Sequence, residues 1–133
     1  MNAKIYEVEE LNHALPLVRS IVRDLRNAWT TLDQAFRELG RPIAPGDLTD
    51  PLVLRELPWD VRDLIDEFRS HVGELTDLGL TLRDPRSGMI EACGAMDGGF
   101  VFLTWQPKEA EVLFFVDPTD SAARRQPLHV LAG

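Results

Sequence analysis

The chain has 133 residues, of which 44% are hydrophobic and 27% are charged, and this balance predicts one soluble globular domain over residues 1–133. Its formal net charge of −8 opposes the phosphate backbone of nucleic acids, so a nucleic-acid partner is not expected. The N-terminal segment contains Glu7, Glu9 and Glu10 and no long apolar stretch. It therefore predicts no signal peptide, no membrane span and a cytoplasmic location.

The first predicted element is a long helix with an apolar seam whose spacings alternate between three and four residues. Such a heptad seam is typical of a coiled coil. Its members are Val8, Leu11, Leu15, Val18, Val22, Leu25, Trp29, Leu32, Phe36 and Leu39. Pro16 removes one helical hydrogen bond and clashes with the preceding turn, so we expect a short helix, a kink and a main rod over residues 17–39. Gly40 suits the left-handed conformation that ends a helix.

A linker rich in proline and glycine follows over residues 40–58, and one helical turn is expected across residues 52–57. A second helix is then predicted before Gly79. Its seam repeats the same spacings and consists of Val61, Ile65, Phe68, Val72 and Leu75. Because the linker lets the chain reverse direction, residues 8–79 predict an antiparallel helical hairpin with the two seams facing each other.

The apolar period changes to two after Gly79, which predicts strands in residues 80–82, 89–93, 100–105 and 112–116. Short turn-rich segments separate these strands, as in an antiparallel β-meander that occupies residues 80–133 together with a tail. The predicted fold class is therefore α+β, with a long antiparallel helical hairpin packed against a small antiparallel β-meander.

The strand at residues 100–105 has apolar side chains on both of its faces. Phe100 and Phe102 should point one way, and Val101, Leu103 and Trp105 the other. The helices can cover one face, while the linker, the C-terminal tail or a second chain must cover the other. This requirement indicates a homodimer, with a different protein partner as the open alternative.

Several short motifs occur along the chain outside the linker. They are Glu9-Glu10, Asn12, Leu15-Pro16-Leu17-Val18, Gly79-Leu80, Leu82-Arg83-Asp84, Gly88-Met89-Ile90-Glu91, Trp105 and Arg125-Gln126-Pro127-Leu128. In order and spacing they resemble the bacterial family called domain of unknown function 2203, and this resemblance implies no particular activity. Members usually end the last strand with an aromatic residue and histidine, where this chain has Phe115-Val116. That departure weighs against a metal or acid–base role transferred from the family.

Cofactor and metal chemistry have few ligands available in this sequence. Cys93 is the only cysteine, so an intramolecular disulfide is excluded. It is expected to be a small buried residue, because no histidine lies near it in sequence to act as a base. His13, His71 and His129 are scattered and form no zinc motif. We therefore expect no cofactor and no tightly bound transition metal.

The candidate ligand or anion cluster consists of Asp84, Glu91, Asp117 and Arg125, which lie on or beside the predicted sheet. A hard metal ion would need several such oxygens to converge. The structural alternative is that Asp84 and Asp117 open turns while Glu91 is a solvated edge residue.

The arginines near the C-terminus also have two interpretations. Arg124 and Arg125, together with Arg83 and Arg86, could bind an anion through their planar guanidinium groups. The favoured interpretation is that Arg125 ties the tail to a carboxylate of the sheet or its turns, with Asp84 as the first choice of partner.

Two functions remain from the sequence. The leading hypothesis is a noncatalytic module that associates with itself or binds a protein partner. The alternative is an enzyme that binds a small ligand or a metal through the sheet carboxylates and the tail arginine. A buried, convergent cluster would favour the enzyme, and a large apolar patch would favour the module.

Overall fold

A computed structural model describes residues 4–96 and 98–129 of the chain. The helices are α1 (Val8–Glu38), a 3-10 turn (Pro45–Leu48), α2 (Pro51–Glu56) and α3 (Trp59–Asp77). The strands are β1 (Leu80–Asp84), β2 (Met89–Met96), β3 (Gly99–Trp105), β4 (Phe114–Val116) and β5 (Arg125–Pro127). Each strand pairs antiparallel with the next in the order β1-β2-β3-β4-β5, which confirms the predicted α+β fold and its meander.

The first helix is a single α-helix of 31 residues, whereas Pro16 had led us to expect a short helix, a kink and a separate rod. Because proline has no N–H, the helix forgoes the hydrogen bond to the Asn12 carbonyl. Leu11, Leu15 and Val18 are buried on both sides of the proline, so packing against the core outweighs one missing bond. Among the helices of the described ranges, none has the length and apolar composition needed to cross a bilayer.

The apolar seams of α1 and α3 pack together, as the alternating spacing predicted. The rings of Trp29 and Phe68 lie 5.3 Å apart between centroids, and Phe36 is fully buried. Leu39 was expected to continue the seam, but it caps the end of α1 and its side chain is 43% exposed. Ile21, which the seam did not include, is buried. Packing thus ends one helical turn earlier than the sequence pattern suggested.

The inner face of the sheet forms the core with the two helices. Ile90 and Ala92 of β2 pair with Trp105 and Leu103 of β3, and all four side chains are buried. Phe115 of β4 extends this apolar layer to the next strand. Side chains alternate between the two faces of a strand, so the residues between these must lie on the opposite face.

That opposite face is called the outer face here. Its side chains are Thr81 and Arg83 of β1, Glu91, Cys93 and Ala95 of β2, Phe100, Phe102 and Thr104 of β3, Phe114 and Val116 of β4, and Arg125 and Pro127 of β5. The tail was a candidate to cover this face, but it forms the edge strand β5 instead. An edge strand tolerates Pro127 because its outward side needs no ladder donor. Phe100 is left 57% exposed.

Gly88 closes the turn between β1 and β2 with a φ of 79°, a backbone conformation that residues with a Cβ rarely adopt. A Cβ at this position would also lie 2.6 Å from Val22 Cγ1, because the turn packs directly against α1. Gly98 has a φ of 82°, yet no described atom lies within 4 Å of its would-be Cβ. A side chain at Gly88 would therefore meet both backbone strain and crowding, whereas a side chain at Gly98 would meet backbone strain alone.

We expect Gly88→Ala to reduce the free energy of unfolding by about 2 kcal/mol more than Gly98→Ala, because only Gly88→Ala adds overpacking to the strain. Urea denaturation of both variants measures the difference. Equal losses would mean that the β1–β2 turn does not pack tightly against α1.

Candidate functional site

A buried ion pair links β5 to the loop between β3 and β4. Arg125 Nη1 and Nη2 donate to Glu109 Oε2 and Oε1 at 2.7 and 2.8 Å, and Arg125 Nε donates to Thr104 Oγ1 at 2.9 Å. The exposed fraction of the side chain is 21% for Arg125 and 7% for Glu109. This bidentate geometry is the strong form of an arginine–carboxylate contact.

The loop that carries Glu109 is held in place by α1. Arg19 donates to the carbonyl oxygens of Pro107, Glu109 and Ala110 at 3.0, 2.7 and 3.1 Å, and its guanidinium lies 5.0 Å from the centroid of the Trp105 ring. Trp105 Nε1 donates to the same Glu109 carbonyl at 2.9 Å. Because both donors act on the backbone, the position of Glu109 depends on α1 and β3 as well as on Arg125.

The electrostatics of the pair follow from opposing effects on the Glu109 carboxyl. Burial disfavours its charged form, but the hydrogen bonds and charge of Arg125, together with hydrogen bonds from Gln106, outweigh burial. The pKa of Glu109 therefore lies below its ordinary value. The carboxylate is ionised and paired at neutral pH. It is therefore poorly suited to proton transfer in this pH range and well suited to tying β5 to the loop.

The predicted tie between Arg125 and a carboxylate is present, but its partner is Glu109 and not Asp84. Asp84 instead accepts hydrogen bonds from the backbone N–H of Arg86 and the hydroxyl of Ser87, both at 3.0 Å. It therefore stabilises the β1–β2 turn, where it cannot also pair with the tail.

The other two carboxylates of the predicted cluster also have local partners. Glu91 lies on the outer face and pairs with Arg83 at 3.2 Å, while Asp117 accepts from the N–H and hydroxyl of Thr119 at 2.8 and 2.7 Å. These hydrogen bonds from Thr119 lower the pKa of Asp117. The structure thus brings Glu91 and Arg125 to one face, on either side of Thr104, and places Asp84 and Asp117 in separate turns.

The remaining candidates lie apart from this site. Cys93 is half-buried on the outer face, whereas a small buried residue had been expected. His13 is exposed, and His71 is half-buried beside α1 with no hydrogen-bond partner for its Nδ1 among the described residues. Within residues 4–96 and 98–129, no three side chains of the Asp, Glu, His or Cys type are grouped so that they could hold a metal ion.

Sequence reasoning missed Glu109, Arg19 and Thr104. Glu109 lies in a polar turn, and Arg19 lies on the polar side of a helix. Residues at both kinds of position are usually solvated. The nearest available signal was Arg125, whose membership in a family motif suggested that a carboxylate partner existed. Nothing in the local spacing identified which carboxylate it was.

The fold and site define an α+β protein with a helical hairpin on one face of a five-stranded sheet and paired charges on the other. The chain belongs to the family described as Uncharacterized conserved protein (DUF2203), whose model matches residues 4–128. The resemblance inferred from the short motifs is therefore confirmed. Comparisons with curated proteins and with solved structures found no match.

Proposed function

We propose that this protein is a noncatalytic module that forms a homodimer through the outer face of its sheet. The observation that carries the proposal is a contiguous apolar patch on that face, in which Ala95 and Phe100 are exposed, Cys93 and Phe102 are half-buried and Val116 is buried. Strand pairing places Cys93 beside Phe102 and Phe102 beside Val116, and Ala95 pairs with Phe100. Helices cover the inner face alone, so a second chain is the natural cover for this patch.

Charge pairing explains why a second copy suits this surface. The chain as a whole has a formal net charge of −8, so two copies repel each other at most approaches. On the outer face, however, Glu91 is paired with Arg83 and the nearby Glu109 with Arg125. Two copies can therefore meet there without unbalanced carboxylates between them. A two-fold axis would place the same patch on both sides of the contact.

The carboxylate pairing also supports a noncatalytic role over the enzyme alternative. An acid–base or metal site needs carboxylates that converge on a common point with oxygens to spare. Glu91, Asp117 and Asp84 instead serve as partners for a neighbouring arginine, threonine and turn.

A cytoplasmic location without a nucleic-acid partner is part of the same proposal. The single cysteine suits a reducing compartment, where disulfides contribute little to stability. The net negative charge disfavours contact with phosphate backbones.

Light scattering coupled to size exclusion tests the homodimer. At tens of micromolar protein we expect twice the 15.0 kDa mass of one chain, and we expect Phe100→Asp to restore the mass of a single chain. Phe100 is 57% exposed within one chain, so the change leaves the core intact while placing a carboxylate in the apolar contact. A penalty of about 3 kcal/mol would weaken association by more than a hundredfold.

Leu52→Asp is the matched control, because Leu52 is 69% exposed on α2 and the change introduces the same charge away from the sheet. This variant should remain dimeric. A wild-type mass of one chain would overturn the homodimer. A dimeric Phe100→Asp variant together with a monomeric Leu52→Asp variant would show that the dimer contact lies near the linker and not on the outer face.

A further inference from the structure

A second surface feature is a groove of about 610 Å³ between α1, the β1–β2 turn and the β3–β4 loop. Four arginines line it, namely Arg19, Arg23 and Arg26 of α1 and Arg86 of the turn, and none of its lining residues is an aspartate or a glutamate. Such a concentration of positive charge is unexpected in a chain with a net charge of −8. It lies apart from the outer face of the sheet.

We propose that this arginine groove binds a small organic anion that bears at least two phosphate groups. The proposal does not depend on the homodimer. It rests on three features of the groove: unpaired positive charge, guanidinium groups held by the backbone, and dimensions that suit a small molecule.

Three of the four groove arginines have no carboxylate partner within the described chain. Arg19, Arg26 and Arg86 form no ion pair with a carboxylate in residues 4–96 and 98–129, and Arg23 has only a 3.4 Å contact with Asp24 at 68% side-chain exposure. A bound anion would supply the missing counter-charge.

The neighbouring cavity offers a direct contrast. It shares Arg86 and is also lined by Arg37 and Arg41, but Arg37 pairs with Asp33 at 3.1 Å and Arg41 with Asp47 at 3.0 Å. Arg37 and Arg41, a short distance along the same surface, are therefore both paired with carboxylates, whereas Arg23 is the one groove arginine with such a partner among the described residues.

Backbone carbonyl groups hold two of the groove arginines in place. Arg19 donates to three carbonyl oxygens of the β3–β4 loop and packs over Trp105, and Arg26 Nε donates to the carbonyl oxygen of Arg86 at 3.0 Å. Carbonyl contacts restrict a guanidinium without removing its positive charge. Part of the ordering cost of binding is thus met before a ligand arrives.

The dimensions favour a small molecule with two separated anionic groups. The volume falls within the range of small-molecule sites. Arg19, Arg23 and Arg26 follow spacings of four and three residues, so they share one side of α1 and span about 10 Å along its axis. Guanidinium groups match phosphate through paired hydrogen bonds. A nucleic acid is disfavoured because the rest of the surface is acidic.

Calorimetric titration with inorganic pyrophosphate at low ionic strength tests the groove. We expect the wild-type protein to bind pyrophosphate with a Kd of about 1 mM or tighter, and Arg26→Gln/Arg86→Gln to weaken binding by about tenfold or more. The matched control is Arg37→Gln/Arg41→Gln, which removes the same charge from the adjacent cavity and should change the Kd by about twofold or less. Titration with succinate tests the choice of phosphate over carboxylate and should give weaker binding.

Arg23→Gln provides a second test, because the Arg23 side chain is 68% exposed and forms no hydrogen bond or ion pair with the described residues of the turn or the loop. It should weaken pyrophosphate binding by about threefold or more. No heat of binding for the wild-type protein, equal losses in the two double variants, or tighter binding of succinate than of pyrophosphate would each overturn the proposal.

Discussion

Replacing Phe36 by alanine is expected to lower the free energy of unfolding by about 3 to 5 kcal/mol, the range for truncating a fully buried phenylalanine. Phe36 is 0% exposed in the seam between the helices, and the guanidinium of Arg41 lies 5.6 Å from its ring centroid. The truncation leaves a cavity that the two long helices cannot easily close. Urea denaturation followed by circular dichroism measures the loss.

The matched control is Leu39→Ala, one helical turn further along the predicted seam. Leu39 is 43% exposed, so its truncation should cost less than about 1 kcal/mol. A loss of similar size in both variants, or a loss below about 1 kcal/mol for Phe36→Ala, would contradict the helical register described for α1.

Replacing Arg125 by alanine is expected to cost about 3 kcal/mol at neutral pH, because it leaves the buried Glu109 carboxylate without its ionic partner. The change also removes the hydrogen bond from Nε to Thr104 and the packing of the guanidinium over Phe114, whose ring centroid is 4.5 Å away. Arg83→Ala is the control on the same face. Arg83 is 49% exposed, so breaking its pair with Glu91 should cost about 1 kcal/mol or less.

The pH dependence distinguishes the loss of this ion pair from a simple loss of packing. In the wild-type protein the pKa of Glu109 is below its ordinary value of 4.5, so the pair stabilises the fold above that pH and the contribution is lost as the pH falls through the lowered pKa. Without Arg125, burial favours the neutral form of Glu109 and is opposed only by the hydrogen bonds from Gln106. The difference in stability between wild type and Arg125→Ala should therefore shrink as the pH falls below about 4.5. If the difference in stability between the two proteins does not change with pH, the loss is due to packing and not to the ion pair.

The helices and most strands could be predicted because their signals are local. The spacing of Leu25, Leu32 and Phe36 identifies one face of a helix, and the alternation in residues 100–105 identifies a strand with two apolar faces. In both cases residues that lie close together in the sequence show which side of the element is buried. The course of α1 through Pro16 was not predicted, since the surrounding core decides whether a proline divides a helix.

The candidate site was less predictable because its contacts join distant parts of the chain. Glu109 is positioned by Arg19, which is 90 residues away, and by Arg125, which is 16 residues away. Strand β5 has only three residues, one of them a proline, and this is too short for an apolar period to be recognised. The arginines of α1 were present in the sequence, but only the packing of the β1–β2 turn on the helix shows that Arg86 joins them.

The anchoring of the β3–β4 loop by α1 also constrains the order of folding. Arg19 reaches the loop across 88 to 91 residues, and Asn12 Oδ1 accepts from the Val112 N–H across 100 residues. Loop-closure entropy delays contacts of such separation, so the helical hairpin and the β1–β2–β3 segment can form earlier from nearby residues. We therefore expect β4 and β5 to join the sheet after α1 has docked, because until then the β3–β4 loop lacks the α1 side chains that hold it. A helix near the start of the chain thus positions the loop that leads into the last two strands.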